Sequence, residues 1–293
     1  MPEILKLNEI SPVADKEFPA GYTFTKESKN PAGIMLRSFN MHEYPLNDEL
    51  LAVARAGAGT NNIPIPACTD KGIVVFNTPG ANANAVKELV ICELFLGGRK
   101  IVDAIEWVKT LKGTEGISKA VEKGKSAFVG HEILGKTLGV IGLGAIGVMV
   151  ANTAVDLGMD VIGYDPYLSV AGALHLDNRV KTADLDTVMK SADFITVHVP
   201  LTPDTEKMFN AESIARMKDG AVLINNSRGE LVDADAVLAA VESGKIERYI
   251  TDFPSDNLLG AQNVICVPQL GASTPGAEDH CAAMAAKQHG VYI

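Results

Sequence analysis

The stretch that decides the fold reads Thr137-Leu-Gly-Val-Ile-Gly-Leu-Gly-Ala-Ile-Gly147. An apolar run, Leu138–Ile141, leads into three glycines spaced Gly142-x-Gly144-x-x-Gly147, and an Ala- and Val-rich helical pattern follows over Ile146–Leu157. The glycine spacing alone occurs by chance, but here a predicted strand precedes it and a predicted helix follows it. A second predicted strand then ends in Tyr164-Asp165. Together these features predict a strand–turn–helix–strand unit of a parallel sheet.

This unit has the residues that a dinucleotide needs, and it predicts NAD as the cofactor. Gly142 permits the tight turn, Gly144 lets the backbone approach the pyrophosphate, and Gly147 lets helix and strand pack closely. The helix N-terminus at Ala145-Ile146 offers N–H donors and a partial positive charge to the phosphates. Asp165 is placed to accept hydrogen bonds from the ribose hydroxyls. Its charge would repel a 2′-phosphate, and no arginine follows it, so NAD is favoured over NADP.

Strands and helices alternate regularly on the carboxyl side of the motif, which predicts a doubly wound α/β sheet. The predicted strands are Leu138–Ile141, Asp160–Tyr164, Phe194–Val199, Ala221–Asn225, Tyr249–Thr251 and Val264–Val267, with a further helix at Ala234–Ser243. On the amino side, the apolar runs Ile34–Leu36, Leu51–Ala56 and Ile73–Phe76 end in Gly- and Asn-rich loops and are interpreted as parallel strands, the second as strand or helix.

Between the two regions, apolar residues at helical spacing predict helices over Val86–Leu94 and Ile101–Val108. Gly97-Gly98 is expected to mark a kink or a helix boundary. The polar, Gly-rich stretch Lys112–Gly130 is expected to be a surface connection.

Composition excludes several classes of protein. The chain has 293 residues, 47% of them hydrophobic, and a net charge of −10 without a basic run, so a nucleic-acid partner is not expected. The sequence shows no secretory leader and no apolar run of about 18 residues, so we expect no membrane partner. We expect a cytoplasmic location. Cys68, Cys92, Cys266 and Cys281 are widely spaced and predict neither a disulfide framework nor a metal site.

Seven further segments carry a resemblance to a known family. They are Arg37-Ser38, Arg55–Asn62, Asn77–Asn84, His198–Thr202, Ile224–Asp233, Thr251–Pro254 and Val267–Thr274. With the glycine motif, they make nearly the whole chain resemble the D-isomer-specific 2-hydroxyacid dehydrogenases, and the first three resemble phosphoglycerate dehydrogenases in particular. The resemblance implies a Rossmann NAD-binding domain (96–277) inserted into a smaller flavodoxin-like substrate domain (1–95 and 278–293). It also implies a homodimer acting on a small 2-hydroxy or 2-oxo acid.

The resemblance also implies roles for single residues. Arg228 is the family's arginine, whose guanidinium clamps a substrate carboxylate in a fork. The residues implied at the cofactor are His198, Pro200, Asn226, Ser227, Asp252 and Gly271. Those implied at the substrate are Arg37, Ser38, Gly57, Ala58, Gly59 and Asn82. Two positions have a second interpretation: Arg37 as a surface ion pair instead of a phosphate ligand, and His198 as a strand-end histidine bonded to backbone.

The chain departs from the family at the catalytic acid/base pair. The family's histidine position is occupied by Gln269, in Pro268-Gln-Leu-Gly271, and the family's glutamate aligns with Asp256. A glutamine donates hydrogen bonds but neither takes nor releases a proton near neutral pH. Three explanations stay open: an inactivating change, a proton carried by water or another group, or a site that has turned to binding. His280 is interpreted as a helix-surface histidine rather than a substitute base.

Two functions therefore stay open at this stage. The first is NAD-dependent oxidation of a D-2-hydroxy acid, most specifically 3-phosphoglycerate in serine biosynthesis, with activity lowered at Gln269. The second is a non-catalytic NAD-binding sensor or partner protein of the same fold. The stretch after Glu278–Gln288 is too short for the C-terminal regulatory domain of many phosphoglycerate dehydrogenases, so a short form or a truncated chain is expected.

Overall fold

A computed structural model describes all residues from Met1 to Ile293. The chain divides into two units, a smaller one of Met1–Ala85 with Ala272–Ile293 and a larger one of Val86–Gly271. The larger unit is thus inserted into the sequence of the smaller. None of the helices combines the length and apolar composition that a membrane span requires.

The strands form two parallel sheets, one in each unit. Those of the smaller unit are β1 (Glu3–Leu7), β2 (Thr23–Thr25), β3 (Gly33–Leu36), β4 (Ala52–Arg55) and β5 (Val74–Phe76). Those of the larger unit are β6 (Thr137–Ile141), β7 (Asp160–Tyr164), β8 (Lys181–Thr182), β9 (Phe194–Val197), β10 (Ala221–Asn225), β11 (Ile246–Thr251) and β12 (Val264–Cys266). The smaller sheet has the order β2-β1-β3-β4-β5, which is the flavodoxin-like order.

The larger sheet has the order β12-β11-β10-β9-β6-β7-β8, the doubly wound Rossmann arrangement with one added edge strand. The helices are α1 (Val13–Glu17), α2 (Ile65–Asp70), α3 (Ala83–Gly98), α4 (Ile101–Thr110), α5 (Ile117–Gly124), α6 (Ala145–Asp156), α7 (Val170–His175), α8 (Leu185–Ser191), α9 (Ala211–Ala215), α10 (Ala234–Glu242) and α11 (Pro275–Tyr292). The predicted α/β fold class is confirmed in both sheets.

The hydrophobic cores explain why the central strands of the larger sheet are apolar over most of their length. Strands β9 and β10 are buried along their whole length, because helices cover both faces of the larger sheet. One face packs around Phe209, Leu223 and Val237, and the other around Val90, Leu138 and Ile250. In the smaller unit, α11 buries Cys281, Ala282, Ala285 and Ala286 against Ile4, Met35 and Ala54.

The units divide at different positions from the expected domain boundaries, which were 95/96 and 277/278. Helix α3 runs unbroken through residue 95, and its buried face of Val86, Val90 and Leu94 belongs to the core of the larger unit. The division therefore falls after Ala85. The second division falls after Gly271, before α11 begins at Pro275.

The stretch Lys112–Gly130 lies at the surface, as predicted, but most of it is helical and not an irregular connection. Helix α5 and a 3₁₀ segment at Lys125–Phe128 occupy this stretch, and the rings of Trp107 and Phe128 lie 5.1 Å apart. A Cβ at Gly124 would lie 2.3 Å from the Trp107 ring, so this glycine permits close packing and not chain flexibility. Strands β1, β2 and β8 were not predicted: β2 and β8 are short and carry few apolar residues, and Lys6 interrupts the apolar residues of β1.

Candidate active site

The strand order of the larger sheet reverses between β6 and β9, which lie side by side. In open α/β sheets, ligands bind outside the carboxyl ends of the strands at such a point. Here the turn after β6 meets the end of β9: the His198 N–H donates to the Ile141 carbonyl at 2.7 Å, and a Cβ at Gly142 would lie 2.5 Å from the His198 carbonyl oxygen. The predicted cofactor residues Gly142 and His198 are thus brought together by the sheet.

The glycine loop fits a dinucleotide pyrophosphate. Gly142 has a φ of +94°, which strongly favours glycine, and a Cβ at Gly147 would lie only 1.9 Å from the Gly142 carbonyl oxygen. At Gly144, by contrast, a Cβ would meet no atom within 4 Å. The loop is therefore tightly packed on its inner side and open at its tip, as close approach of a phosphate backbone requires.

The start of helix α6 and the end of β7 complete the dinucleotide cradle. No side chain caps α6, whose N-cap is Gly144, so the N–H groups around Ala145 and Ile146 are available to an anion. Asp165 is fixed by two backbone donors: its Oδ2 accepts from Leu143 N and its Oδ1 from Tyr167 N, each at 2.8 Å. Each carboxylate oxygen keeps acceptor capacity for a ribose hydroxyl.

His198 lies in a setting that keeps its ring neutral. Burial lowers the pKa of the imidazole to about 4, its Nε2 lies 3.0 Å from the Thr196 hydroxyl, and its Nδ1 is buried without a partner. Neither of these side-chain contacts is a backbone bond, which the second interpretation of His198 had expected. The neighbouring Pro200 is exposed and its carbonyl accepts from Thr205 at 2.7 Å.

Asn225 shapes the turn at the carboxyl end of β10 that presents Arg228. The buried Asn225 side chain accepts from Ser227 N at 3.1 Å and donates to the Arg228 carbonyl at 2.8 Å. The Ser227 hydroxyl donates to the Val197 carbonyl at 2.8 Å, which ties the turn to β9. The Arg228 guanidinium is exposed and donates only to the carbonyl of Ser227, at 2.6 Å. It is therefore a cation at a strand end with no carboxylate bound to it.

Asp252, Gln269 and Gly271 lie together at the end of β11. The Gln269 N–H donates to the Asp252 carbonyl at 3.0 Å, and a Cβ at Gly271 would lie 3.4 Å from Asp252 Oδ2. Burial raises the pKa of Asp252 to about 6, while the Gly271 N–H and the Arg228 charge oppose that rise. Gln269 is exposed and has a φ of +46°, in the left-handed region.

Asp256 lies exposed in the loop after β11. Neither Asp256 nor Gln269, the residues predicted at the family's acid/base positions, offers an imidazole. The structure thus gathers most of the predicted cofactor residues and Arg228 at one edge of the larger sheet, but it supplies no histidine at position 269.

Glu93 is a residue at this edge that the sequence prediction missed. It lies on α3, is fully buried, and its Oε2 accepts from Asn226 Nδ2 at 2.6 Å. Burial, with the charge of Asp252, raises its pKa to about 8. The available signal was its spacing: Glu93 lies seven residues after Val86, on the apolar face of the predicted helix.

In the smaller unit, the predicted substrate residues follow β3 and β4. Arg37 forms an ion pair with Glu278 and also reaches the Ala272 carbonyl at 3.4 Å, so the surface-ion-pair interpretation describes its contacts. The Ser38 N–H donates to Asn8 Oδ1 at 3.1 Å. The turn containing Gly57, Ala58 and Gly59 is held by Arg55, by Asn77 and by Thr78, and Asn82 is half-exposed just before α3.

Comparison with known proteins identifies the family. A family model described as the NAD-binding domain of D-isomer-specific 2-hydroxyacid dehydrogenases matches residues 98–271. The chain belongs to the D-isomer-specific 2-hydroxyacid dehydrogenase family. The predicted resemblance is confirmed, and NAD is the cofactor of this dehydrogenase domain.

Two relatives of this chain differ in their named activities. A hydroxypyruvate reductase of Thermotoga maritima is 40% identical over 238 residues, which are 78% of this chain and 73% of that protein. A D-3-phosphoglycerate dehydrogenase of Synechocystis is 39% identical over 246 residues, which are 82% of this chain and 42% of that protein. The chain thus spans less than half the length of this phosphoglycerate dehydrogenase.

Solved structures support the same fold. A D-lactate dehydrogenase from Treponema pallidum superposes with a TM-score of 0.78 at 21% identity, covering 97% of this chain and 94% of that chain. A D-lactate dehydrogenase from Aquifex aeolicus, solved with NAD and lactic acid, superposes with a TM-score of 0.75 at 23% identity. At these identities the likeness establishes the fold and not the substrate.

Proposed function

We propose that this dehydrogenase interconverts a D-2-hydroxy acid and the corresponding 2-oxo acid, with 3-phosphoglycerate and 3-phosphohydroxypyruvate as its substrate pair in serine biosynthesis. When bound, NAD would supply the hydride exchange at the C2 carbon of the acid. In the reducing direction, a 2-oxo acid, NADH and one proton give a D-2-hydroxy acid and NAD⁺. The chain's own residues hold the reactants and govern the proton.

Arg228 is the observation that carries this proposal. It is exposed at the carboxyl end of β10, bound to no carboxylate, and its charge lowers the pKa of Asp252. A planar guanidinium in that position is suited to hold a substrate carboxylate through two hydrogen bonds. Asp252, Asn226 and Ser227 would meet the carboxamide end of the cofactor, and Asp165 its ribose.

The choice of 3-phosphoglycerate as substrate rests on the relatives and on Arg37. Phosphoglycerate dehydrogenases are among the relatives, but so is a hydroxypyruvate reductase. We propose that Arg37 meets the substrate phosphate, with Ser38, Asn82 and the backbone of Gly57–Gly59 contacting the acid. In this role Arg37 would exchange its ion pair with Glu278 for the phosphate.

Gln269 determines how fast the proposed reaction runs. Its side-chain amide donates a hydrogen bond to the carbonyl oxygen of a 2-oxo acid but provides no proton, so the proton comes from solvent. Loss of a general acid/base typically costs about 10²–10⁴-fold in rate. Asp256, exposed and without an imidazole to orient, does not replace it. We therefore propose a slow dehydrogenase.

The glutamine at position 269 also favours a second candidate function, that of a non-catalytic NAD-binding protein. The dinucleotide cradle of Gly142, Gly147 and Asp165 is complete, whereas the acid/base pair is not. A sensor or partner subunit would need only the cradle. Turnover distinguishes the two functions, because only the dehydrogenase oxidises NADH in the presence of a 2-oxo acid.

The test compares the parent chain with Gln269→His and Gln269→Asn, each mixed with NADH and 3-phosphohydroxypyruvate or hydroxypyruvate. Histidine and asparagine both tolerate the left-handed conformation at position 269, but only histidine transfers a proton. We expect Gln269→His to raise kcat by about 10²-fold or more and Gln269→Asn to leave it low. If no variant consumes NADH with any 2-oxo acid while NADH still binds, the second candidate is correct.

We also propose that the protein is a homodimer in the cytoplasm. On α4, Ile101, Ile105 and Val108 share one face at helical spacing and are 39%, 50% and 51% exposed. A second copy covering this face would bury these side chains. Light scattering of Ile105→Glu is expected to report a monomer if this face forms the interface, and an unchanged dimer would place the interface elsewhere.

A further inference from the structure

The carboxyl ends of β10 and β11, together with α3, bury a cluster of acceptor atoms that lacks donors. Glu93 Oε1, Asn226 Oδ1 and Asp252 Oδ1 are all buried without a hydrogen-bond partner. The single donor among these side chains, Asn226 Nδ2, is used by Glu93 Oε2 at 2.6 Å. Buried polar atoms in folded proteins are nearly always paired, so this cluster needs a proton or a cationic ligand.

Glu93 is the group that can supply that proton. Val86, Val90 and Leu94 of the same helix pack into the core, Glu93 itself is fully buried, and no lysine or arginine bonds to its carboxyl. Burial and the nearby Asp252 carboxylate both disfavour its ionised form. The charged group that acts on Glu93 is Asp252, whose own pKa is lowered by the charge of Arg228.

We propose that Glu93, held by Asn226 beside Asp252, is a protonation switch that makes the preference of this site for NAD⁺ over NADH increase with pH. The proposal rests on the placement of the nicotinamide beside Asp252 in the proposed function. The oxidised nicotinamide ring carries a positive charge and the reduced ring is neutral. A second buried carboxylate therefore stabilises bound NAD⁺ and acts little on bound NADH.

The pH window follows from the two carboxyls as a pair. Burial raises the pKa of Asp252 to about 6 and that of Glu93 to about 8, so we expect the pair to gain its second negative charge as the pH rises through about 8. One elementary charge at roughly 10 Å, in an effective dielectric of about 20, alters the affinity for a cation by about tenfold or slightly more. Glu93 is a positioning residue in this scheme, since it acts on the cofactor through its charge.

The experiment measures the dissociation constants of NAD⁺ and NADH by calorimetry or fluorescence between pH 6.5 and 9.5, without substrate. In the wild type, we expect the ratio Kd(NADH)/Kd(NAD⁺) to increase about tenfold across this range. In Glu93→Gln, which keeps an acceptor for Asn226 but never ionises, the ratio should stay constant. The control Glu106→Gln removes an exposed charge on α4 and should behave as wild type.

In these titrations, a constant ratio in the wild type or an equal increase in Glu93→Gln would overturn the proposal.

A spectroscopic measurement on the wild type tests the proposal even if Glu93→Gln fails to fold. Infrared difference spectra of the wild type in heavy water, between pH 7 and 9.5, should show the loss of a protonated carboxyl band, and the absence of that loss would also overturn it. Neither measurement needs turnover, so a failure of the dehydrogenase proposal would appear separately, as NADH binding without oxidation.

Discussion

Alanine substitutions at Gly147 and at Gly144 should have different effects, because the two glycines serve the glycine loop differently. A Cβ at Gly147 would lie 1.9 Å from the Gly142 carbonyl oxygen, 1.1 Å inside the 3.0 Å below which the neighbouring atoms must shift. Overpacking of this kind costs about 1–3 kcal/mol or more, and the gain in helix propensity from glycine to alanine returns about 1 kcal/mol. Because the neighbouring atom belongs to the backbone and cannot easily move, we expect the upper end of the overpacking cost, about 3 kcal/mol, so that Gly147→Ala lowers the free energy of unfolding by about 2 kcal/mol in net.

Gly144→Ala is the matched control for stability. Its Cβ would meet no atom within 4 Å, and its φ of −77° and ψ of −163° are open to alanine. The loss of a glycine N-cap costs at most about 1 kcal/mol. The added methyl group lies at the open tip of the loop, where it would keep the backbone donors from the pyrophosphate. One charge-assisted hydrogen bond is worth about 1.5–3 kcal/mol, so NADH affinity should fall roughly 10–100-fold.

Thermal denaturation without cofactor and fluorescence titration with NADH check both effects. For a domain of this size about 2 kcal/mol corresponds to a decrease in Tm of about 4–8 °C, expected for Gly147→Ala and not for Gly144→Ala. A Gly147→Ala protein with wild-type Tm would refute the close approach inside the loop. Wild-type NADH affinity in Gly144→Ala would refute the placement of the pyrophosphate at its tip.

Three further predictions concern charges. Glu278→Gln removes the ion-pair partner of Arg37, so the KM for 3-phosphohydroxypyruvate should decrease by up to about fivefold, which is the range of an exposed ion pair. The KM for hydroxypyruvate, which has no phosphate, should stay unchanged. Equal changes for both substrates would exclude Arg37 as a phosphate ligand. Arg228→Lys loses the two-pronged carboxylate contact and should lower kcat/KM by about 10²-fold with NADH affinity unchanged, and retained kcat/KM would argue against the clamp. Burial lowers the pKa of His289 from 6.5 to about 4. The neutral ring therefore contributes fully to the free energy of unfolding above pH 6.5. As the pH falls towards 4 the unfolded chain takes up the proton first, and the free energy of unfolding decreases by roughly 3 kcal/mol in total. His289→Gln should therefore show a smaller loss of stability between pH 7 and pH 5 in urea denaturation than the wild type, and an equal loss would exclude His289 as a source of acid sensitivity.

The sequence predicted those parts of the protein whose signals are local. Strands β7 and β10 were predicted with the bounds that the structure shows, and β10 is buried along its whole length, where a parallel strand is typically an apolar run. The glycine loop was predicted because its backbone requirements fall within eleven residues. The helices within Lys112–Gly130 were missed because the stretch is polar and Gly-rich, and only the position of Trp107 shows that Gly124 serves close packing.

By itself, then, the amino-acid sequence determined the α/β class, the glycine loop and the presence of glutamine rather than histidine at position 269, each of which is written in neighbouring residues. Tertiary structure alone decided which charges meet. Glu93 and Asn226 are 133 residues apart, and Arg37 and Glu278 are 241 residues apart. Periodicity assigns a residue to the buried face of its own helix or strand, but the partner it meets there depends on how distant elements pack, and that partner sets its charge and its role.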